Sequence, residues 1–166
     1  MFDQTTRQGA YFALAAYCFW GIVPIYFKWV DDISPLEILC QRLVWALLLL
    51  LLILAVTGEL QKLRTPLSQI PRIFLSASVL AVNWLIFIYA VVNNNIAETA
   101  LGYFINPLVT ILLGVVFLKE SLRPLHWLAV SIAATGIVLE LVWLGTLPWI
   151  ALALAFSFGF YGLLRK

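Results

Sequence analysis

Ile73–Ala97, IFLSASVLAVNWLIFIYAVVNNNIA, is a run of 25 residues without a charged side chain, bounded by Arg72 and Glu98. A helix needs about 20 apolar residues to cross about 30 Å of hydrocarbon. Over the whole chain of 166 residues, 64% of the side chains are apolar and only 11% are charged. Soluble domains average about 45–50% apolar and about 25% charged residues. The composition therefore excludes an ordinary water-soluble enzyme and predicts a polytopic membrane protein.

Other uncharged runs lie on both sides of this one and bring the number of predicted transmembrane helices to six. Two of the runs have only 16 residues and reach membrane length by including a flanking charge. The second helix must then begin near Pro35 and contain Arg42, and the fifth must end near Glu140. We predict an all-α bundle with helices at 9–29, 35–56, 73–93, 99–118, 124–143 and 148–165.

The basic residues predict the orientation of the bundle. With the N-terminus inside, eight of the ten Lys and Arg residues fall on one side, and only Lys28 and Arg42 fall elsewhere. Cytoplasmic loops carry such an excess of Lys and Arg. Both ends of the chain are therefore predicted to be cytoplasmic.

A short pattern occurs twice. Trp20-Gly21 is followed by Lys28, and Phe158-Gly159 is followed by Lys166 at the same spacing. Aromatic–glycine pairs are common in membrane helices, so chance and repetition stay equally open. The first and sixth helices run in opposite directions, as an inverted repeat requires. A repeat would make 1–146 one five-helix unit and 147–166 the first helix of a second unit.

Arg42 is the most expensive side chain to place in the membrane, since an Arg at a helix centre costs about 2.5–3.5 kcal/mol on insertion scales. It lies about two turns into the second helix. We expect it to meet an anionic solute group or a carboxylate near a cavity. The alternative is an Arg that extends to the outer headgroups.

Asparagines in the third and fourth helices are the next candidates for a cavity wall. Asn83 shares a helix face with small and aromatic residues, and Asn106 stands between Tyr103 and Pro107. Small and polar residues at such spacings also join helices to one another. Pro107 favours the cavity, because it frees a backbone carbonyl that is tolerated only against protein or water.

Trp20 and Pro24 share a stripe on the first helix. Proline loosens a helix, so this segment is expected either to bend and line a pocket or to carry a benign kink with an aromatic belt. The candidate cavity residues are thus Trp20, Pro24, Arg42, Asn83, Tyr103, Asn106 and Pro107.

Motifs of membrane-embedded enzymes are missing from the sequence. It has no HExxH, no GxSxG and no phosphate-binding glycine loop, and its single His cannot build a poly-histidine metal site. We therefore predict no enzymatic activity, no cofactor and no metal. The net charge of +2, with no basic patch clear of the apolar runs, predicts no nucleic-acid partner.

Two segments resemble a known family. TALGYFINPLVTILLGVVFLKE at Thr99–Glu120, with the following SLRPLHWLAVSIAATGIVLEL, resembles the end of an EamA unit of the drug/metabolite transporter superfamily. YCFWGIVPIYFKWV and SPLEILCQRLVWALLL resemble its RarD branch, described as chloramphenicol-sensitivity permeases. Gln41 departs from the His expected before the Arg, which argues against a titratable role at that position.

The resemblance implies a ten-helix secondary transporter made of two inverted units, without an ATPase domain. It also implies a multi-pass protein of the bacterial plasma (inner) membrane. The chain then looks truncated, since about four helices of the ten are not in it. We expect a permease that moves a small organic solute by alternating access, completed by a homodimer partner or a missing C-terminal half. The alternative is a non-transporting membrane fragment or assembly module.

Overall fold

The computed structural model describes residues 4–166, and the elements in that range are all helical. The six long helices are α1 (Gln4–Trp29), α2 (Pro35–Val56), α3 (Ile70–Val92), α4 (Ile96–Leu118), α5 (Pro124–Leu144) and α6 (Trp149–Arg165). Two short 3₁₀ helices, Leu60–Leu63 and Leu67–Gln69, lie between α2 and α3. Five of the helices are long and apolar enough to cross a membrane, and α6 is a shorter apolar helix. The predicted all-α polytopic fold is confirmed.

Local signals fix the two ends of α2 at the predicted residues. The Oγ atom of Ser34 accepts a hydrogen bond from the backbone N–H of Glu37 at 3.3 Å, and Pro35 occupies the first turn. Such a cap satisfies a donor that would otherwise have no partner at the helix start. At the other end Gly58 takes a φ of 71°, a left-handed conformation that favours glycine and ends the helix.

The packing core of the bundle lies where α6 meets α3 and α4. Ile88, Ala90 and Val91 of α3 and Ile150 and Ala151 of α6 are at most 1% exposed. By contrast α1, α2 and α5 bury few of their side chains. The last helix therefore supplies much of the interior of the bundle.

A glycine lets α4 and α6 come into backbone contact. A Cβ atom added at Gly102 would lie 3.1 Å from the carbonyl oxygen of Ala151 and 3.2 Å from the Cβ of Leu154. Small residues allow this close approach of membrane helices. Gly102 of α4 thus packs against another helix.

Polar contacts fasten the end of α6 at the end of the bundle that is predicted to be cytoplasmic. The Nε atom of Arg72 donates to the carbonyl oxygen of Leu164 at 2.8 Å. The ammonium group of Lys166 donates to the carboxylate of Glu120, just after α4. These groups are exposed, in contrast to the buried packing at the start of α6.

Candidate functional site

A cavity of about 690 Å³ lies between α1, α3 and α4, with one contribution from α6. Pockets for small molecules have volumes of about 300–1,000 Å³. The cavity is lined by Tyr17, Trp20, Gly21, Pro24, Asn83, Trp84, Phe87, Ile96, Thr99, Ala100, Tyr103 and Phe158. Four of the seven candidate residues therefore lie on this one cavity, namely Trp20, Pro24, Asn83 and Tyr103.

One face of α1 forms the first wall. Tyr17, Trp20, Gly21 and Pro24 recur at helical spacing and all line the cavity. A Cβ atom added at Gly21 would have no neighbour within 4 Å, so this wall faces open space. The ring of Trp20 stacks on that of Trp84 at a centroid distance of 5.5 Å and an interplanar angle of 27°.

Phe87 of α3 makes two edge-to-face aromatic contacts in the cavity wall, one within α3 and one to α4. Phe87 meets Trp84 at a centroid distance of 5.7 Å and Tyr103 at 6.2 Å. Such arrangements add about 0.5–1.5 kcal/mol per pair beyond the area they bury. The rings hold one another in place, so the wall is a connected aromatic surface.

Asn83 both lines the cavity and joins α3 to α6. Its amide nitrogen donates to the carbonyl oxygen of Leu154 at 3.0 Å and to the Oγ atom of Ser157 at 2.9 Å. The sequence left helix joining and cavity lining as alternatives for this residue. The structure places it in both positions.

Asn106 lies beside the main cavity. It lines a small gap of about 10 Å³ together with Asn83 and Tyr103, which also border the main cavity. Its side-chain oxygen accepts a hydrogen bond from the hydroxyl of Thr110 at 3.3 Å. Pro107, the next residue of α4, is exposed and lines neither space.

Arg42 also lines neither space. Its guanidinium carbon lies 3.3 Å from the centroid of the Trp84 ring, over the face of the indole. The ion pairs recorded in the described part of the chain do not include Arg42. Its contact is therefore a cation–π interaction with a ring of the cavity wall, which neither sequence alternative had included.

Trp84, Thr99 and Phe158 are among the lining residues that the sequence had not indicated as candidates. Trp84 follows Asn83 and stands three residues before Phe87, and Thr99 is one turn before Tyr103. Helical spacing from the candidate Tyr103 would have found Thr99. Phe158 comes from α6, and only the tertiary packing brings it to the cavity.

Within residues 4–166, no group of three or more His, Cys, Asp or Glu side chains is placed to hold a metal ion. The cavity is apolar on most of its surface and carries a few polar groups. Such an arrangement suits the binding of an organic solute.

Known proteins match the chain closely. It is 48% identical to Protein RarD of Salmonella typhimurium over 97% of the chain, and 46% identical to Protein RarD of Escherichia coli over the same share. It is 38% identical to an uncharacterized transporter of Bacillus subtilis, YojE, again over 97% of the chain. These alignments cover 56%, 55% and 56% of the three relatives, so the chain spans about half of their length.

No solved structure matches the chain. The family comparison matches residues 7–142 to the EamA-like transporter family. That range includes α2, α3, α4 and nearly all of α1 and α5. The relatives and the helices together make this a multi-pass bacterial membrane protein. The chain belongs to the EamA-like transporter family.

Proposed function

We propose that this protein is a secondary transporter that moves a small organic solute by alternating access. The observation that carries the proposal is the cavity of about 690 Å³, on which four separately chosen candidate residues meet. Relatives named as transporters support the general class. In the proposed mechanism one five-helix unit rocks against the other around the cavity.

The lining suggests a role for each candidate. Trp20 and Tyr103 provide aromatic walls, and Asn83 and Asn106 provide polar groups. Arg42 provides its charge to the Trp84 ring. The prolines at 24 and 107 would allow α1 and α4 to bend.

The proposed transporter sits in the plasma membrane with both ends of the chain cytoplasmic. The distribution of Lys and Arg supports this orientation. Because the chain spans about half of its relatives, we propose that a second copy or a C-terminal half completes the fold. The residues 147–166 would then be the first helix of the second unit.

Transport by reconstituted protein tests the proposal. Liposomes containing the purified chain are loaded with a mixture of uncharged and charged metabolites, and the exchange of each is followed by mass spectrometry. At least one solute should cross faster than in protein-free liposomes. Trp20→Ala should slow that solute, whereas Trp45→Ala, on an exposed part of α2 outside the cavity, should not.

The partial coverage of the relatives supports one alternative, a non-transporting fragment or assembly module. Chemical crosslinking of the reconstituted chain separates the two cases. A defined dimer that exchanges solute supports a self-completing transporter. A defined dimer that folds and exchanges no solute contradicts the self-completing transporter and favours the alternative.

A further inference from the structure

The wall that residues 4–166 provide to the main cavity is aromatic, and none of its lining residues has a charged side chain. Six of its twelve residues are aromatic, and the remainder are apolar or neutral. An ion that leaves water without a partner of opposite charge loses hydration that ring contacts do not replace. The lining therefore disfavours a solute with a full charge.

The position of Arg42 supports the same conclusion. Its guanidinium covers one face of Trp84, while Trp20 stacks on that ring from α1. The indole thus carries a positive charge at 3.3 Å, which opposes a second cation at this wall. Arg42 is not among the residues that line the cavity, so its guanidinium is not one of the lining groups that an anion would meet.

Two neutral polar side chains of the wall, Asn83 and Thr99, have their hydrogens engaged within the protein. Both amide hydrogens of Asn83 are donated to α6, so its carbonyl oxygen is the group it can offer a solute. The hydroxyl hydrogen of Thr99 goes to the carbonyl oxygen of Ile96 at 2.6 Å. What these two side chains can still do is accept a hydrogen bond.

We propose that the cavity selects an uncharged solute with a flat ring and an N–H or O–H donor. The ring would pack against the connected aromatic wall, and the donor would reach the oxygen of Asn83 or Thr99. This inference rests on the proposed function, since it names the class of solute for the same cavity.

Binding of four small probes to the purified chain in nanodiscs tests the proposal. Phenylacetamide, phenylacetate and phenethylamine share a ring and differ in charge at pH 7, and cyclohexylacetamide replaces the ring by a saturated one. Tryptophan fluorescence reports binding, because Trp20 and Trp84 both line the cavity and the probes do not absorb at the excitation wavelength. Phenylacetamide should bind at least about ten times more tightly than the other three.

A pair of variants links the signal to the cavity. Tyr103→Leu should weaken phenylacetamide binding by about two- to ten-fold, the range expected for one aromatic contact. Tyr11→Leu, on an exposed part of α1 outside the lining, should leave it unchanged. Equal or tighter binding of either ion or of the saturated probe overturns the inference, and so does a failure of phenylacetamide to bind. Selective binding without solute exchange would remove the transport proposal and keep the selectivity.

Discussion

Replacement of Asn83 should loosen the contact between α3 and α6 by a predictable amount. Its two hydrogen bonds reach Leu154 and Ser157. Hydrogen bonds between membrane helices contribute about 0.6 kcal/mol on average and about 1.7 kcal/mol at most. Asn83→Leu should therefore lower the free energy of unfolding by about 1 kcal/mol. Ser157 also donates to the carbonyl oxygen of Ala153 at 2.6 Å, so it keeps a partner after the substitution.

A double-mutant cycle isolates the bond between the two side chains from the change in packing that leucine causes. Unfolding in mixed micelles is measured for Asn83→Leu, Ser157→Ala and the double variant, and the coupling energy should be about 0.6 kcal/mol. Thr135→Val is the control, because its hydroxyl bonds only within α5, to Ser131 at 2.8 Å. A coupling energy near zero would show that Asn83 does not hold α6 and would refute the reasoning.

Three further substitutions have expected outcomes. Arg42→Ala should reduce the near-ultraviolet circular dichroism of the stacked pair Trp20 and Trp84, because the cation on the Trp84 ring is lost. Arg42→Lys should retain part of the signal. An unchanged spectrum of Arg42→Ala would contradict the cation–π contact. Gly102→Ala should lower the unfolding free energy by about 1–3 kcal/mol, because the added methyl group overpacks against α6. Gly136→Ala is the control and should be neutral or stabilising, because a Cβ atom there has no neighbour within 4 Å. Equal effects of the two substitutions would contradict the close approach of α4 and α6. Glu120→Gln should speed hydrogen exchange in the last turn of α6 by about two- to five-fold, as expected for the loss of one exposed ion pair. Exchanging the charges of Glu120 and Lys166 should restore the slow exchange. Failure of that rescue would argue against the ion pair.

Helix positions could be predicted where the signal is local. Ser34, Pro35 and Gly58 fix α2 through capping and backbone conformation, and the predicted range 35–56 is the observed one. The starts of α3 and α4 were predicted three residues too late, at 73 and 99 instead of 70 and 96. The reason is that the predicted helices were started where the uncharged runs begin, directly after Arg72 and directly after Glu98. The first turn of a helix accepts both of these charged side chains. An acidic residue there is even favoured by the helix dipole.

Candidate cavity residues could be predicted where helical spacing places them on one face. Trp20 and Pro24 share such a face of α1, and the structure shows that face on the cavity. The contact of Arg42 with Trp84 could not be predicted, because it depends on how α2 crosses α3. The free-energy cost of placing an arginine in the membrane indicated that Arg42 needs a partner, but it left the type of partner open.

The two copies of the aromatic–glycine pattern have opposite surroundings in the structure. A Cβ atom at Gly159 would lie 3.0 Å from side-chain atoms of both Val109 and Leu113, so α4 closes tightly around this part of α6. A Cβ atom at Gly21 would meet nothing within 4 Å, and Gly21 lines the cavity. If the chain contains an inverted repeat, one and the same glycine position serves helix packing in α6 and a cavity wall in α1. A small residue suits both uses, because it permits either close contact with a helix or room for a solute. The motif therefore does not by itself identify a cavity, and only the presence or absence of a neighbouring helix decides which of the two it forms.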